Sequence, residues 1–496
     1  MKERLADTRT QICKTCVWLK KPAKWLLIGI LIAMIPLLQA DFHYRDDLGR
    51  AAIGYRLWAD FSRYVSEYGS VVLHAGKYLT DISPIPQMLA AAVIALCCAV
   101  VIRCLKRNPD EPATVWEMIA VLPLALSPYF MECLSYQYDS PYMALSVLFS
   151  VAPFVLPVWS GAVYCIVSAC CALMMCISYQ AASGIYPMLV VFLAVRKWND
   201  EKRGEAVRFA VQSALSYAAG LAVFAWMLLP KVDSYVQTSM LPAAQLLPGF
   251  FGNLAAFWRM VISDFKKAWL GLMGLIFACY VLLSAWRAKG NRLLGGVVAA
   301  AGLVMAAVLA FGVYPALSAP LIEPRAMFGV GALIAFAGVS ACGGKRAPLA
   351  RVSCLALSWC FFVFALTYGN ALAEQKRYAQ MRTELVLSDL NDLPVMNNGQ
   401  IKVVTISGDI GLAPVVEKIP DNQGVLNKMI PTLFSEEPWG ENGLYCYEGM
   451  KDVVMLEDAS FILDKQDITQ LDMPVVKDTM YHTIRSNGQY VVIDLK

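Results

Sequence analysis

Histidine is nearly missing from this chain, with three among 496 residues. No HxxxH pair and no carboxylate-rich cage accompanies them, so a metal enzyme is not favoured. Charge is scarce as well: charged residues make up 16% of the chain against 58% hydrophobic, with a mean hydropathy of +0.53. That balance excludes an ordinary soluble domain. What charge there is nearly cancels, to a net +4. No basic patch points to nucleic acid.

What the chain has instead is apolar runs long enough to cross about 30 Å of hydrocarbon. Eleven can be read, over 25–40, 85–102, 115–130, 141–157, 161–178, 184–195, 207–229, 269–286, 293–312, 326–342 and 352–369. Lys and Arg close many of them in RCLKR, VRKW, WRAKGNR and GGKR. With the N-terminus placed in the cytoplasm, the inner segments hold 21 of the 42 basic residues and the outer loops before residue 370 hold 10. By the positive-inside rule the chain is then N-in, with its C-terminus outside. Cleavage of the first span as a signal peptide is not expected, because Leu38-Gln39-Ala40 lacks the small residue needed three before a cut. Most of the 15 cysteines lie inside apolar runs, where they behave as small hydrophobes. Only Cys133 and Cys446 fall in outer segments, so no disulfide framework is expected. The lone CKTC at Cys13 and Cys16 is weak evidence for zinc.

The chemistry is expected in the outer segments. Residues 41–84 open with DFHYRDDLGR, where Asp46 and Asp47 stand together among His43, Arg45 and Arg50. Charges this close to a bilayer are costly unless they have a use. Asp47 sits where a helix N-cap would be. Two consecutive carboxylates cannot share one cap, and their proximity raises one pKa, which suits a proton acceptor or donor. Helical spacing of Leu48, Ala52, Tyr55, Ala59, Val65 and Val72 predicts two amphipathic helices on the outer leaflet. Asp60, Arg63 and Asp81 are weaker candidates; Asp81-Ile-Ser-Pro also reads as a plain helix-start signal. Next, Tyr136, Gln137, Tyr138 and Asp139 form a cluster of the kind that lines sugar sites, or an interfacial aromatic belt. Tyr179 and Gln180 occupy the following outer turn. Arg325 is the one basic residue of 313–325, either an anchor or a phosphate clamp. The stretch 231–268 reads as a longer outer loop.

After about residue 370 charges become frequent. A helical stretch at 371–390 leads into strand patterns at 401–406, 452–463 and 489–494. This region has no P-loop, no GxGxxG, no nucleophile elbow and no triad, so docking or structural work is expected of it rather than catalysis. The fold class is therefore a polytopic α-helical membrane protein of about 11 transmembrane helices, over 1–370, with a small C-terminal α/β domain outside the membrane, over 371–496.

Taken in order, RDDLGR, DISPIPQ at the second span, YQYDS, SYQAAS, a lone outer Arg after Pro and a short outer C-terminal domain resemble the GtrII-type family. These are the O-antigen serotype-converting glucosyltransferases of bacteriophages and bacteria. The likeness runs over essentially the whole chain. Members often carry Gly-Arg-Pro where this chain has Phe61-Ser62-Arg63-Tyr64, which leaves the role of Arg63 open.

The resemblance implies a GT-C-type hexosyltransferase of the bacterial inner membrane, acting on the periplasmic face. It would move a hexose, usually glucose, from undecaprenyl phosphate to an O-antigen or related lipid-linked glycan. On that reading Asp46 or Asp47 is the general base, and Arg50, Arg325 and Arg45 hold the donor phosphate. Tyr136, Asp139, Tyr179, Gln180 and Asp81 contact the sugar or acceptor. No cofactor is expected; a divalent cation on the aspartate pair is a minor option. The rival readings are a transporter or flippase for lipid-linked glycans and another lipid-glycan enzyme. Transporters usually show charged groups near mid-membrane and repeated halves, and neither is evident here.

Overall fold

The computed structural model describes residues 2–156, 159, 161–228, 239–344, 347–400, 402–418, 424–432, 448, 450, 453–454 and 468–496. Asp233, Cys446, Pro157, Val158, Ser160 and most of the 452–463 strand pattern lie outside the described residues. Helices come first along the chain: α1 (Lys2–Ala40), the short α2 (Asp47–Ile53) and α3 (Tyr64–Leu73), then α4 (Ile85–Leu105). A broken stretch follows as α5 (Val115–Val121), α6 (Pro123–Leu126) and α7 (Pro128–Ser135). Next come α8 (Ser140–Val151), α9 (Ala162–Cys176), α10 (Ile185–Asn199), α11 (Arg203–Val223), α12 (Leu246–Asp264), α13 (Lys267–Arg287), α14 (Arg292–Leu309), α15 (Gly329–Cys342) and α16 (Pro348–Asn391). The last region adds β1 (Lys402–Ser407), α17 (Pro414–Glu417), α18 (Val425–Met429), β2 (Val453–Val454), β3 (Val475–Asp478), β4 (His482–Ser486) and β5 (Tyr490–Leu495).

Among the described residues, seven stretches are long and apolar enough to cross a membrane: Cys13–Ala40, Ile85–Leu105, Arg203–Met227, Ala243–Asp264, Lys267–Arg287, Arg292–Leu309 and Pro348–Asn391. The pair Val115–Leu126 and Pro128–Ser135, bent by 58°, would make an eighth. Ser140–Val155, Ala162–Cys176 and Gly329–Cys342 are apolar but shorter. Hydropathy counts apolar residues whatever the length of the helix they form, so the eleven apolar runs take in the bent pair and the shorter helices as well. One long helix lies where no apolar run is counted. The supposed loop 231–268 carries α12, whose Pro248 falls in the first turn, where a missing N–H costs nothing.

Tertiary contacts divide the chain into two compact units. The first is Met1–Ile35, Leu57–Leu73 and Ser83–Thr367; the second is Pro36–Arg56, His74–Ile82 and Tyr368–Lys496. In the first, α15 is buried along almost its whole length. Its small residues permit that: a Cβ at Gly331 would strike Pro123 O and Ser127 Oγ, so the helix lies directly on α5 and α6. A buried ion pair sets the start of α5, with Lys106 Nζ 3.0 and 2.9 Å from the Glu117 oxygens, while Thr114 and Glu117 form a capping box. Outward positions such as Leu215, Leu282 and Leu293 are exposed and apolar, as lipid-facing positions should be.

In the second unit the strands form one sheet in the order β2-β1-β5-β4-β3. β1 runs parallel to β2 and β5, while β5, β4 and β3 alternate antiparallel. Alternation along the strands divides the side chains between two faces. Val404, Ile484, Val491 and Ile493 pack with Ala379, Val386 and Leu390 of α16; Val403 and Val492 pack with Ile468 and Met473.

Candidate active site

Each unit carries one cluster of candidate residues. In the second unit, the RDDLGR stretch folds as the start of α2. Asp46 occupies the cap position but makes no side-chain cap bond, and Asp47 is the first helical residue. Asp47 is fully buried, and its Oδ2 accepts a hydrogen bond from the Tyr44 backbone N–H at 3.2 Å. The cap position thus falls to Asp46 rather than Asp47, and the Asp47 carboxylate bonds backward along the chain to Tyr44. Asp46 is open, its side chain 37% exposed, and lies 3.9 Å from the buried Arg50 guanidinium. Arg50 also faces the Tyr55 ring, at 5.9 Å, and Arg45 that of Tyr44, at 5.8 Å.

The short helix is anchored at both ends. Gly54 ends it with φ of +75°, and its carbonyl accepts from Leu79 N at 2.9 Å. A Cβ there would sit 3.0 Å from Leu79 O, so this turn needs glycine. At the other end Tyr44, also fully buried, donates its hydroxyl to Met429 O at the end of α18, at 2.9 Å. Tyr368 of α16 reaches the same carbonyl at 3.3 Å, and Lys376 lies 3.3 Å from Asp41 Oδ2. Asp81, at the exposed end of the segment after α3, lies close enough to influence His74 electrostatically. Burial holds the His74 pKa below its usual value, and the Thr80 carbonyl and Asp81 oppose that shift.

The first unit's cluster is built around the break at Ser127-Pro128. Helix α7 is buried at every residue, Glu132 included. Gln87 of α4, from the DISPIPQ stretch, donates to its end carbonyls, Leu134 O at 3.1 Å and Ser135 O at 3.4 Å. Tyr136 and Asp139 follow, both buried. The Tyr136 hydroxyl accepts from the Arg325 guanidinium, which also pairs with Glu323 Oε2 at 2.9 Å. Asp139 Oδ1 accepts from Trp58 Nε1 at 2.5 Å, and Trp58 in turn packs edge-on against Tyr142. Tyr179 donates to Arg325 O at 3.3 Å and stacks on Phe328; Gln180 donates to Phe61 O at 3.2 Å. Above the Tyr179 ring, at 4.8 Å, sits the Arg63 guanidinium.

Burial pushes the phenols of Tyr179 and Tyr314 up, so both act as neutral hydrogen-bonding groups at pH 7. For Arg325 burial alone would lower the pKa, but Tyr136 and then Glu323 hold it above the ordinary range. The cluster is thus a buried, aromatic-walled set of hydrogen-bonding groups with fixed cations, the chemistry that grips a sugar and an anion. Among the described residues no three of His, Cys, Asp and Glu gather at one point.

Of the residues singled out in the sequence, Tyr136, Tyr179 and Arg325 are joined by hydrogen bonds, and Gln180 reaches the adjoining backbone at Phe61. Asp139 is held separately by Trp58. Asp46, Arg45, Arg50 and Asp81 belong with Asp47 to the second unit. Trp58, Glu132, Glu323 and Tyr44 were not anticipated. Glu132 lies seven residues before Asp139 and Glu323 two before Arg325, but no spacing rule selects them.

Comparison with known proteins bears on what these clusters serve. No solved structure matches the chain. An uncharacterised 55.3 kDa protein in the gtrB 5′ region of Salmonella phage P22 is 25% identical over 245 residues, which is 47% of this chain and 49% of that protein. The chain thus spans about half the length of the curated relative it matches. The family model described as "Glucosyl transferase GtrII" matches residues 35–339, a range that takes in Asp46, Asp47, the α7 break and Arg325. With more than half of its residues matched by that one model, the chain belongs to the GtrII glucosyl transferase family.

Proposed function

We propose that the protein is a glucosyltransferase of the bacterial inner membrane. It takes glucose from a polyprenyl phosphate and attaches it to an O-antigen or related lipid-linked glycan on the periplasmic side. The observation that carries this is the family match over 35–339, which includes every residue proposed for the chemistry. The N-terminus is placed in the cytoplasm and the C-terminal sheet in the periplasm, on the distribution of Lys and Arg.

The reaction asks little of the protein. An acceptor hydroxyl oxygen forms a bond to the anomeric carbon, while the bond from that carbon to the phosphate oxygen breaks. The electron pair leaves with the phosphate, and the hydroxyl proton passes to a carboxylate. One displacement inverts the anomeric centre. Asp47 is assigned the base, since its carboxylate is fixed by the Tyr44 N–H; a positioned base is worth about 10²–10⁴ in rate. Arg325 is assigned to the departing phosphate, whose growing charge a fixed guanidinium stabilises. Arg50 and Arg45 are the remaining cationic candidates. Tyr136, Tyr179, Gln180, Asp139 and Asp81 are proposed to contact sugar or acceptor.

Transfer of radiolabelled glucose from undecaprenyl-phosphate-glucose to O-antigen, in membranes with matched protein levels, tests the reading. Wild-type transfer that is lost with Asp47→Asn supports it. Absence of transfer by wild type under any acceptor supplied refutes it.

A further inference from the structure

Arg63 is the cation in the first unit's cluster for which the proposed mechanism has no use. Its backbone is tightly held. Ser62 before it is buried in the left-handed region at φ of +55°, Arg63 N donates to Trp58 O at 3.0 Å, and Glu67 N donates to Arg63 O at 3.0 Å. Two further bonds clamp this segment to the 177–180 turn: Val65 N to Ile177 O at 2.9 Å, and Gln180 Nε2 to Phe61 O at 3.2 Å. Fixed in this way, the guanidinium lies between two rings, 4.8 Å from the centre of Tyr179 and 5.3 Å from that of Phe61.

A cation–π contact holds a guanidinium in place without cancelling its charge. Elsewhere in the unit, Lys106 has Glu117 and Arg325 has Glu323, while Arg196 and Arg287 donate to backbone carbonyls. Glu132 also acts on Arg325, and the Asp139 carboxylate accepts from Trp58. Among the described residues no carboxylate lies within ion-pair distance of Arg63, and its buried Nε has no hydrogen-bond partner. Meanwhile Arg63 and Arg325 are both within electrostatic reach of the Tyr179 and Tyr314 hydroxyls. The Arg63 guanidinium thus lies over Tyr179, whose hydroxyl is bonded to the Arg325 carbonyl, while the Arg325 guanidinium lies over Tyr136 at 6.0 Å. Of the two, Arg325 is the one paired with an acid.

We infer that Arg63 and Arg325 form a two-guanidinium seat for a lipid-linked phosphate, with Arg63 supplying the uncompensated charge. The inference rests on the glucosyl-transfer reading, because glucose is neutral and the phosphate is the only anionic part of such a donor. A guanidinium suits it, since its planar fork meets two phosphate oxygens at once, as an ammonium cannot.

Binding of three lipids to the full-length protein in nanodiscs tests this without turnover: undecaprenyl phosphate, undecaprenol and phosphatidylglycerol. Wild type is expected to prefer undecaprenyl phosphate to both others. Arg63→Gln should weaken that binding by about 10- to 100-fold, the worth of a charge-assisted hydrogen bond. Arg63→Lys should restore part of it, and Arg208→Gln, which removes an exposed charge on α11, should change nothing. Unchanged undecaprenol binding by Arg63→Gln shows that the variant is folded. The inference is overturned if Arg63→Gln binds undecaprenyl phosphate as wild type does. It is also overturned if wild type does not distinguish undecaprenyl phosphate from undecaprenol, or binds phosphatidylglycerol equally well. Phosphate-selective binding that depends on Arg63, in a protein that transfers no glucose, supports the seat and refutes the glucosyl-transfer reading.

Discussion

Replacing Tyr44 by phenylalanine deletes one oxygen atom and separates positioning from chemistry. In the wild-type chain the Tyr44 hydroxyl is bonded to Met429 O at 2.9 Å, while the Tyr44 backbone N–H holds Asp47 Oδ2 at 3.2 Å. The hydroxyl therefore fixes the residue that fixes the base. The carbonyl left behind keeps a partner, since Tyr368 also reaches it at 3.3 Å. The cost is then that of one hydrogen bond rather than of a stranded acceptor, about 1 kcal/mol. If all of it is felt as displaced Asp47, kcat falls about fivefold, and the KM for donor stays within about twofold, because no contact with donor is removed. Tyr368→Phe is the control: it takes a bond from the same carbonyl but from outside the aspartate stretch, so it should lower thermal stability and spare kcat. Initial rates of glucosyl transfer against donor concentration, for both variants at matched protein levels, decide the matter. A Tyr44→Phe enzyme with wild-type kcat, or equal losses in the two variants, would refute the reasoning.

Asp47→Asn should reduce transfer at least about 100-fold. Asp46→Asn should cost about tenfold or less, since its open carboxylate interacts with Arg50 at 3.9 Å; single-turnover rates in membranes rank the two. Glu117→Gln leaves the buried Lys106 without its carboxylate and should destabilise the first unit by about 3–5 kcal/mol; the double variant Lys106→Met with Glu117→Leu should recover most of that in a thermal aggregation assay. Burial lowers the His482 pKa from its ordinary value of 6.5, against the opposing pull of Asp389, so the folded state binds fewer protons than the unfolded one. The stability this contributes is complete above the unfolded pKa and is lost as pH falls through the lower folded value. Amide exchange in β4 should accordingly speed up as pH drops below about 6.5, once the intrinsic pH dependence is subtracted, and His482→Gln should flatten that slope.

What the sequence could and could not show follows from how far apart the interacting residues lie. Apolar composition marks the helices because each buries its own backbone bonds, and β1 and β5 announce themselves as KVVTIS and YVVIDL. The strand β4 is five residues, HTIRS, too short and polar to stand out alone. Its signal was the Asn487-Gly488 pair after it, a hairpin turn in which Gly488 has φ of +95°. α12 was missed because Pro242 and Pro248 read as breakers, although Pro248 sits where a helix accepts proline. The aspartate pair was visible as two charges beside an apolar run. Tyr44 was not, because its partner lies 385 residues away. Trp58 and Asp139 are likewise 81 residues apart. No local pattern encodes either contact.

The tie between Tyr44 and Met429 also limits how members of this family can exchange parts. The stretch common to the family ends at residue 339, yet Met429, Tyr368 and Lys376, which grip the 41–47 stretch, all lie beyond it. A recombination crossover anywhere between residues 47 and 368 would pair an aspartate stretch from one parent with a C-terminal grip from the other. Hybrids of that kind inherit both halves intact and still lose the fit between them. Viable mosaics should therefore carry 36–56, 74–82 and 368–496 from the same parent.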